Sequence, residues 1–301
     1  MYYLPEGQLE ERTYELSELG SAAQTGRILW ARAYLFDSDR RLHFHLGCCE
    51  GVMPFEECAL EMPGSPVRDI AVITRVGRMT CFTVRDIRQT PDGAPLALLS
   101  RADAQQRCRE EYFDLLQPGD ILPATVTSME SFGAFCDVGC GLIALLPIDY
   151  LSVSRIRTPR DRLRIGQDIY CVIRKRDDLG RLVLSMKELL GTWEENAAAF
   201  AEGETVIGYV RGIESYGVFI ELAPNLAGLA ELRQDLAPGD CVSVYIKSIL
   251  PEKMKIKLVV LNRIENAPAA PDPVFFCRRG HIDRWEYASP LSDRHMETLF
   301  E

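Results

Sequence analysis

Long hydrophobic runs are absent from this chain of 301 residues. No apolar run approaches the roughly 18 residues that a membrane-spanning helix needs. The first residues, MYYLPEGQLEERTYEL, lack the basic start and apolar centre of a signal peptide. With 47% hydrophobic and 26% charged residues, the composition is typical of a soluble globular protein of roughly two or three domains. We therefore expect a cytoplasmic protein.

The cysteine pattern contains no CxxC, although the chain has ten cysteines. The spacing excludes a zinc ribbon and a thioredoxin-like site, and single thiols in apolar segments are typical of free cysteines in a reducing compartment. Near the C-terminus, Cys277, His281 and His295 have no fourth ligand at tight spacing. The sequence therefore predicts no metal site.

Catalytic motifs are also missing. The chain has no glycine-rich phosphate loop, no Ser/His/Asp set and no paired carboxylate motif. We therefore predict a protein that is not an enzyme, with no cofactor and no small-molecule substrate.

Positive charge is scarce overall but concentrated locally. The formal net charge is −10, yet residues 152–187 contain ten Lys or Arg and four Asp, a net charge of +6. Exposed charges are screened beyond about 10 Å at physiological salt, so local charge decides local binding. The acidic total therefore does not exclude a nucleic-acid partner.

An internal repeat is the strongest feature that is present. Residues 119–139 match residues 203–223 at a constant offset, and ESFGAF (130–135) returns as ESYGVF (214–219). A weaker copy begins at Ile28 and has DSDRR in place of the aromatic residues. A repeat of about 70 to 80 residues indicates tandem structural units.

Each copy contains about five short β-rich runs separated by Gly or Pro, which favours small closed barrels. The predicted fold is mostly β, with tandem five-stranded barrels joined by short helices and a β-hairpin-like extension at the C-terminus. The predicted domains are an acidic segment (1–25), a degenerate first barrel (26–102), a linker helix (103–116), a second barrel (117–187), a second linker helix (188–201), a third barrel (202–263), a Pro/Ala linker (264–273) and the extension (274–301).

The glycine between the aromatic residues permits a bend that resets strand alternation. Phe132 and Phe135 could then both reach the outer face and offer rings on which bases stack. The alternative is that Phe135 and Phe219 point into the core and only Phe132 and Tyr216 are exposed.

Three stretches, GDILPATVTSMESFGAFCDVG, LSVSRIRTPRDRLRIGQDI and RDDLGRLVLSMKELLGTWEE, together resemble the RNA-binding repeat of the bacterial ribosomal protein S1 family. The resemblance covers roughly residues 26–261 and implies OB-type barrels. It implies that Phe132 and Phe135 stack bases and that Asp177 and Arg181 frame the turn between strands four and five. At the third-strand position, often His in the family, this chain has Pro147 and, in the last copy, Glu231.

The resemblance implies binding of single-stranded messenger RNA at or near the small ribosomal subunit, with the second barrel as the best candidate. Further predicted RNA contacts are Arg155, Arg157, Arg174, Arg176, Tyr216, Phe219, Lys247, Lys255 and Lys257. Two alternatives stay open: an RNA-binding adaptor for RNA degradation or transcription machinery, and a protein-docking scaffold.

Overall fold

The computed structural model describes residues 3–61, 67–265 and 271–300. Within them, the strands form three closed five-stranded barrels and one two-stranded sheet. In every barrel the strands lie in the order one, two, three, five, four, with four closing on one. The predicted mostly β fold with tandem OB-type barrels is therefore confirmed. No helix of the described ranges is long and apolar enough to cross a membrane.

The first barrel consists of β1 (Leu29–Phe36), β2 (Arg41–His45), β3 (Glu50–Pro54), β4 (Met79–Gln89) and β5 (Pro95–Ser100). Helix α1 (Leu16–Thr25) precedes it, and the short helix α2 (Asp69–Ile73) lies between β3 and β4. Burial alternates along β2, so Leu42 and Phe44 fill the core with Phe82. This alternation places every second residue of β2 on the outer surface.

The acidic N-terminal segment is partly buried. The carboxylate of Glu6 accepts hydrogen bonds from Arg101 at 2.7 and 3.0 Å, and Arg75 also pairs with it. The backbone N–H of Glu6 donates to Asp137 at 2.7 Å. Burial alone would raise the pKa of Glu6, but the charges of Arg101 and Arg75 outweigh it and lower that pKa to about 2. This carboxylate therefore acts as a structural ion-pair partner.

Helix α3 (Arg101–Glu111) leads into the second barrel, which consists of β6 (Ile121–Glu130), β7 (Gly133–Asp137), β8 (Ile143–Pro147), β9 (Asp168–Arg176) and β10 (Leu182–Ser185). The helix begins where the Ser100 side chain accepts a hydrogen bond from the backbone N–H of Asp103 at 2.9 Å. This is an ordinary N-cap, and it places the start of the helix at residue 101 where the sequence predicted residue 103.

The third barrel consists of β11 (Thr205–Glu214), β12 (Gly217–Ala223), β13 (Leu226–Ala230), β14 (Cys241–Leu250) and β15 (Lys255–Arg263). The predicted linker helix 188–201 is replaced by a 3-10 turn (Lys187–Leu190) and a short helix α4 (Trp193–Ala197). The interruption lies at Gly191, whose φ of 84° is incompatible with a continuing helix. Helix α4 then restarts with a capping box at Thr192.

By its internal contacts the chain divides into two compact units. One contains Met1–Leu116, Pro123–Thr125 and Asp137–Ile143, and the other contains the remaining residues, including the third barrel and most of the second. Half of the predicted Pro/Ala linker, residues 266–270, lies outside the described residues.

Inside the second unit, the second and third barrels are joined by buried polar contacts. Glu221 pairs with Arg162 at 2.7 Å and with Arg211 at 2.9 Å, and all three side chains are at most 10% exposed. The amide of Asn225 donates to the carbonyls of Lys187 and Gly191 at 2.7 and 2.8 Å. Arg162 lies in the segment after β8 that has no counterpart in the third barrel, so this insertion serves to dock one barrel on the next.

The C-terminal extension, described from residue 274 to residue 300, contains β16 (Arg284–Glu286) and β17 (Glu297–Leu299), which pair antiparallel as the predicted hairpin-like element. Its Trp285, Tyr287 and Phe300 are buried in the same hydrophobic core as residues of both barrels. The backbone N–H of Ile282 donates to the carbonyl of Gly119 at 2.9 Å. The extension therefore packs on the second barrel as well as the third.

Candidate nucleic-acid interface

A bulge in the fourth strand is a common reference point for aligning the three barrels. Next to this bulge, a residue of the fifth strand pairs with the fourth strand on one side and with the third strand on the other. The pairs with the third strand are Leu98 with Val52, Val183 with Leu145, and Lys257 with Leu229. On the second strand, Leu229 faces Phe219 and Val52 faces His43. The repeat offset places Phe135 at that same position in the second barrel.

The ring pair of the second barrel lies at the turn between β6 and β7. Phe132 is on the turn and is 54% exposed. Phe135 is half-buried, while its neighbours Ala134 and Cys136 are fully buried, so its ring points away from the core. The ring centroids are 6.1 Å apart at an interplanar angle of 89°. Both rings are therefore at the outer surface, in an edge-to-face arrangement.

Gly133 has a different role from the strand bend that the sequence suggested. Because Phe132 lies on the turn, no reset of strand alternation is needed to expose it. A Cβ at Gly133 would lie 2.5 Å from the carbonyl oxygen of Leu146. The glycine is required because strand β8 passes this close to the backbone.

The third barrel repeats the arrangement almost unchanged. Tyr216 on the turn is 67% exposed, Phe219 is half-buried, and their ring centroids are 6.0 Å apart at 88°. Gly217 has a φ of 154°, and a Cβ there would lie 2.5 Å from the carbonyl oxygen of Ala230. Two barrels thus present the same pair of rings in the same geometry.

Asp177 and Arg181 form the turn between β9 and β10. The carboxylate of Asp177 accepts hydrogen bonds from the backbone N–H groups of Leu179 and Arg181 at 3.0 and 2.9 Å, and from Nε of Arg181 at 2.7 Å. The bond from the Arg181 backbone is the main reason that the pKa of Asp177 lies below its usual range. Arg181 is 67% exposed, so its guanidinium still faces solvent.

The predicted phosphate contacts have different surroundings. Arg155 is exposed, and Arg176 donates to the carbonyl of Gly180 at 3.3 Å. Arg157 is exposed and its guanidinium lies against Gly239. Arg174 donates to the carbonyl of Leu299 at 2.7 Å, so this side chain also holds the C-terminal extension. On the third barrel the predicted contacts Lys247 in β14 and Lys255 and Lys257 in β15 are all exposed.

In the first barrel the positions of the exposed ring pair hold other residues, and the strand register shows which ones. His43 stands at the position of Phe135, and Arg40 precedes β2 as Phe132 precedes β7. Beside them the rings of Tyr34 and His45 stack at 3.8 Å with an interplanar angle of 8°. The chain has one residue more between the paired residues Leu35 and His43 than between the equivalent pair Gly212 and Phe219, so an ungapped comparison of the two copies misses His43.

The comparison with known families matches residues 115–187 to the S1 RNA binding domain. The chain is 31% identical over 207 residues to small ribosomal subunit protein bS1 of Leuconostoc lactis, covering 64% of this chain and 47% of that protein. It is 30% identical over 186 residues to bS1 of Staphylococcus aureus (strain COL), covering 56% and 47%. The chain spans about half the length of the curated relatives it matches.

Among solved structures, a multidomain protein with nucleic acid binding domains from Streptococcus pneumoniae is 12% identical, with a TM-score of 0.28. The match covers 80% of this chain and 75% of that chain. The resemblance to the ribosomal protein S1 family that the sequence suggested is confirmed by the family match and the bS1 relatives.

Proposed function

We propose that this chain, which carries an S1 RNA binding domain at residues 115–187, binds single-stranded RNA on its second and third barrels. The observation that carries the proposal is the repeated ring pair, at 6.1 Å in one barrel and 6.0 Å in the next. Exposed aromatic side chains are costly to leave in water, and here each of two equivalent pairs has one ring on a hairpin turn with more than half of its surface exposed. Stacking with unpaired bases gives these rings a use.

In this proposal the bases stack on Phe132 and Phe135 and on Tyr216 and Phe219. Each stacked base contributes about 1–3 kcal/mol, and every base has a face that can stack, so sequence preference is slight. Arg181 and the neighbouring arginines bind phosphates of the same strand. The third barrel has exposed lysines in place of the Asp177–Arg181 turn, so we expect it to bind more weakly.

We further propose that the RNA is messenger RNA and that the chain acts at the small ribosomal subunit. The names of its bS1 relatives and their identity of about 30% support this role. The role requires binding alone, with no catalytic step and no cofactor.

Two measurements test the proposal together. The purified chain is titrated with a fluorescent single-stranded RNA, and the tagged chain is sedimented with small ribosomal subunits at low and high salt. We expect RNA binding and co-sedimentation that resists moderate salt. RNA binding without co-sedimentation would contradict the ribosomal role and favour an adaptor of RNA degradation or transcription. Absence of RNA binding would contradict the proposal and favour a protein-docking scaffold.

A further inference from the structure

An open pocket lies between the second barrel and the C-terminal extension. Neither the ring pairs nor the Asp177–Arg181 turn lines it. Its volume is about 520 Å³, and its lining residues are Tyr150, Arg174, Lys175, Glu297 and Leu299. Small-molecule pockets in proteins measure roughly 300–1,000 Å³. The pocket is therefore large enough for one nucleotide, and it joins one aromatic ring, two cations and one carboxylate.

The pocket adjoins the proposed RNA surface in the chain and in space. Tyr150 ends the turn Ile148–Tyr150 that follows β8, and the backbone N–H of Ile148 donates to the carbonyl of Phe132 at 2.9 Å. On the other wall, Lys175 precedes Asp177 by two residues in the chain. An RNA strand that stacks on Phe132 therefore has the pocket beside it on the same surface.

The C-terminal extension supplies the carboxylate. Arg174 donates to the carbonyl of Leu299 at 2.7 Å, and its guanidinium lies 5.6 Å from the ring centroid of Phe300. These contacts hold β17 at the pocket wall, with Glu297 at its start. Arg284 donates to Oε2 of Glu297 at 2.7 Å, which fixes the carboxylate and leaves Oε1 to accept from a ligand.

The aromatic wall already attracts a cation. Nζ of Lys187 lies 5.2 Å from the ring centroid of Tyr150, so the electron-rich ring is held beside a positive charge. Lys175 is exposed at the rim, where it can meet a phosphate. Ring, ammonium and carboxylate are the three groups that a nucleotide needs for its base face, its phosphate and its base edge.

We propose that this pocket binds one nucleotide of the RNA strand, with the base against Tyr150, the phosphate at Lys175 and a base amino group donating to Glu297. The inference rests on the proposed RNA binding and adds a base preference to it. A carboxylate accepts N–H bonds and repels carbonyl oxygens. Cytosine has an amino group at the position where uracil has a carbonyl oxygen, so the pocket selects cytosine over uracil.

The test compares oligocytidine with oligouridine of equal length on the full chain. We expect the wild-type protein to bind oligocytidine about tenfold more tightly, the effect of one hydrogen bond to a charged group. Glu297→Gln should bring the ratio close to one, because an amide presents either a donor or an acceptor. Glu286→Gln is the matched control, since Glu286 also pairs with Arg284 at 3.5 Å but does not line the pocket.

A second variant, Tyr150→Ala with Tyr150→Phe as its control, separates the ring from the hydroxyl group. Loss of affinity for both oligonucleotides in the alanine variant alone supports the base site. Equal wild-type affinity for the two oligonucleotides, or an unchanged ratio in Glu297→Gln, would overturn the inference while RNA binding itself stands. If wild-type protein binds neither oligonucleotide, the proposed function fails as well.

Discussion

Phe132 and Tyr216 are the residues on which the proposed function depends most directly. Each stands on a hairpin turn with more than half of its surface exposed, and each meets the edge of a second ring. The second rings, Phe135 and Phe219, are held by buried neighbours on both sides in the strand. One ring of each pair can therefore be removed with little effect on the core.

Phe132→Ala should weaken RNA binding by about 1–3 kcal/mol, the contribution of one stacked base. The melting temperature should hardly change, because the side chain is 54% exposed. Phe135→Ala should lower both affinity and stability. The measurements are fluorescence titration and thermal unfolding of the same preparations.

Phe276→Ala is the control for this series. Phe276 is 50% exposed but belongs to the C-terminal extension and not to a ring pair, so RNA affinity should stay at the wild-type value. Wild-type affinity in a folded Phe132→Ala, Tyr216→Ala double variant would falsify stacking on these rings.

At this scale the sequence predicted the exposure of Phe132 and Tyr216 but left the direction of Phe135 open. That direction depends on where the turn ends, because a one-residue change in the turn moves every strand side chain to the other face. The same dependence hid His43. Only the pairing of His43 with Val52 shows that it replaces a ring of the other barrels.

Among the elements, the insertion after β8 is the one that the repeat alone could not explain. It carries Arg162, which with Arg211 surrounds the buried Glu221. Burial alone would raise the pKa of Glu221, but the hydrogen bonds and charges of the two arginines outweigh it, and the pKa is lowered. The ionised carboxylate therefore stabilises the fold above its ordinary pKa.

Glu221→Gln should lower the free energy of unfolding at pH 7 by about 3–5 kcal/mol, because it leaves two buried guanidinium groups without their counter-charge. The stability that Glu221 contributes is present above about pH 4.3 and is lost as the pH falls through its lowered folded value. The difference between wild type and variant should therefore shrink at acid pH. Denaturant unfolding across a pH series measures it.

Asp235→Asn gives the matched comparison, since Asp235 pairs with Arg233 at the surface of the same barrel. Its unfolding curve should coincide with that of wild type. A Glu221→Gln variant that is as stable as wild type at pH 7 would contradict the role of the insertion in docking the two barrels.

The strands and the repeat could be predicted because alternation and turn residues are local signals. The length of α4 could not be predicted, because the break before it depends on contacts of Gly191. A Cβ at Gly191 would lie 2.8 Å from the ring of Phe276 and 2.9 Å from the side chain of Asn196, so only glycine fits there. The contacts of the C-terminal extension were equally hidden, since its partners are distant in the sequence.

For the whole molecule, the net charge of −10 makes salt dependence an informative property. Attraction of RNA must come from local cations, since the chain as a whole repels phosphate. The logarithm of RNA affinity should fall with the logarithm of salt concentration by about 0.7 for each phosphate neutralised.

Arg181→Gln should reduce that slope by about 0.7, one phosphate contact. Arg12→Gln is the control, because Arg12 is an exposed arginine that pairs with Glu18 in the acidic N-terminal segment. Titrations at four or more salt concentrations give the slopes. An affinity that does not respond to salt would exclude phosphate contacts as a source of binding.

The hydrogen bond between His281 and Asp120 joins groups 161 residues apart. Ribosomes add roughly 5–20 residues per second, so the partner of Asp120 is made about 10 to 30 seconds after Asp120 itself. During that interval the residues of the Phe132 turn have been made, while Trp285 and Phe300, which share a hydrophobic core with residues of the second barrel, are not yet all present. The ring pair of Phe132 and Phe135 is therefore synthesised before the residues that complete the hydrophobic core beside it.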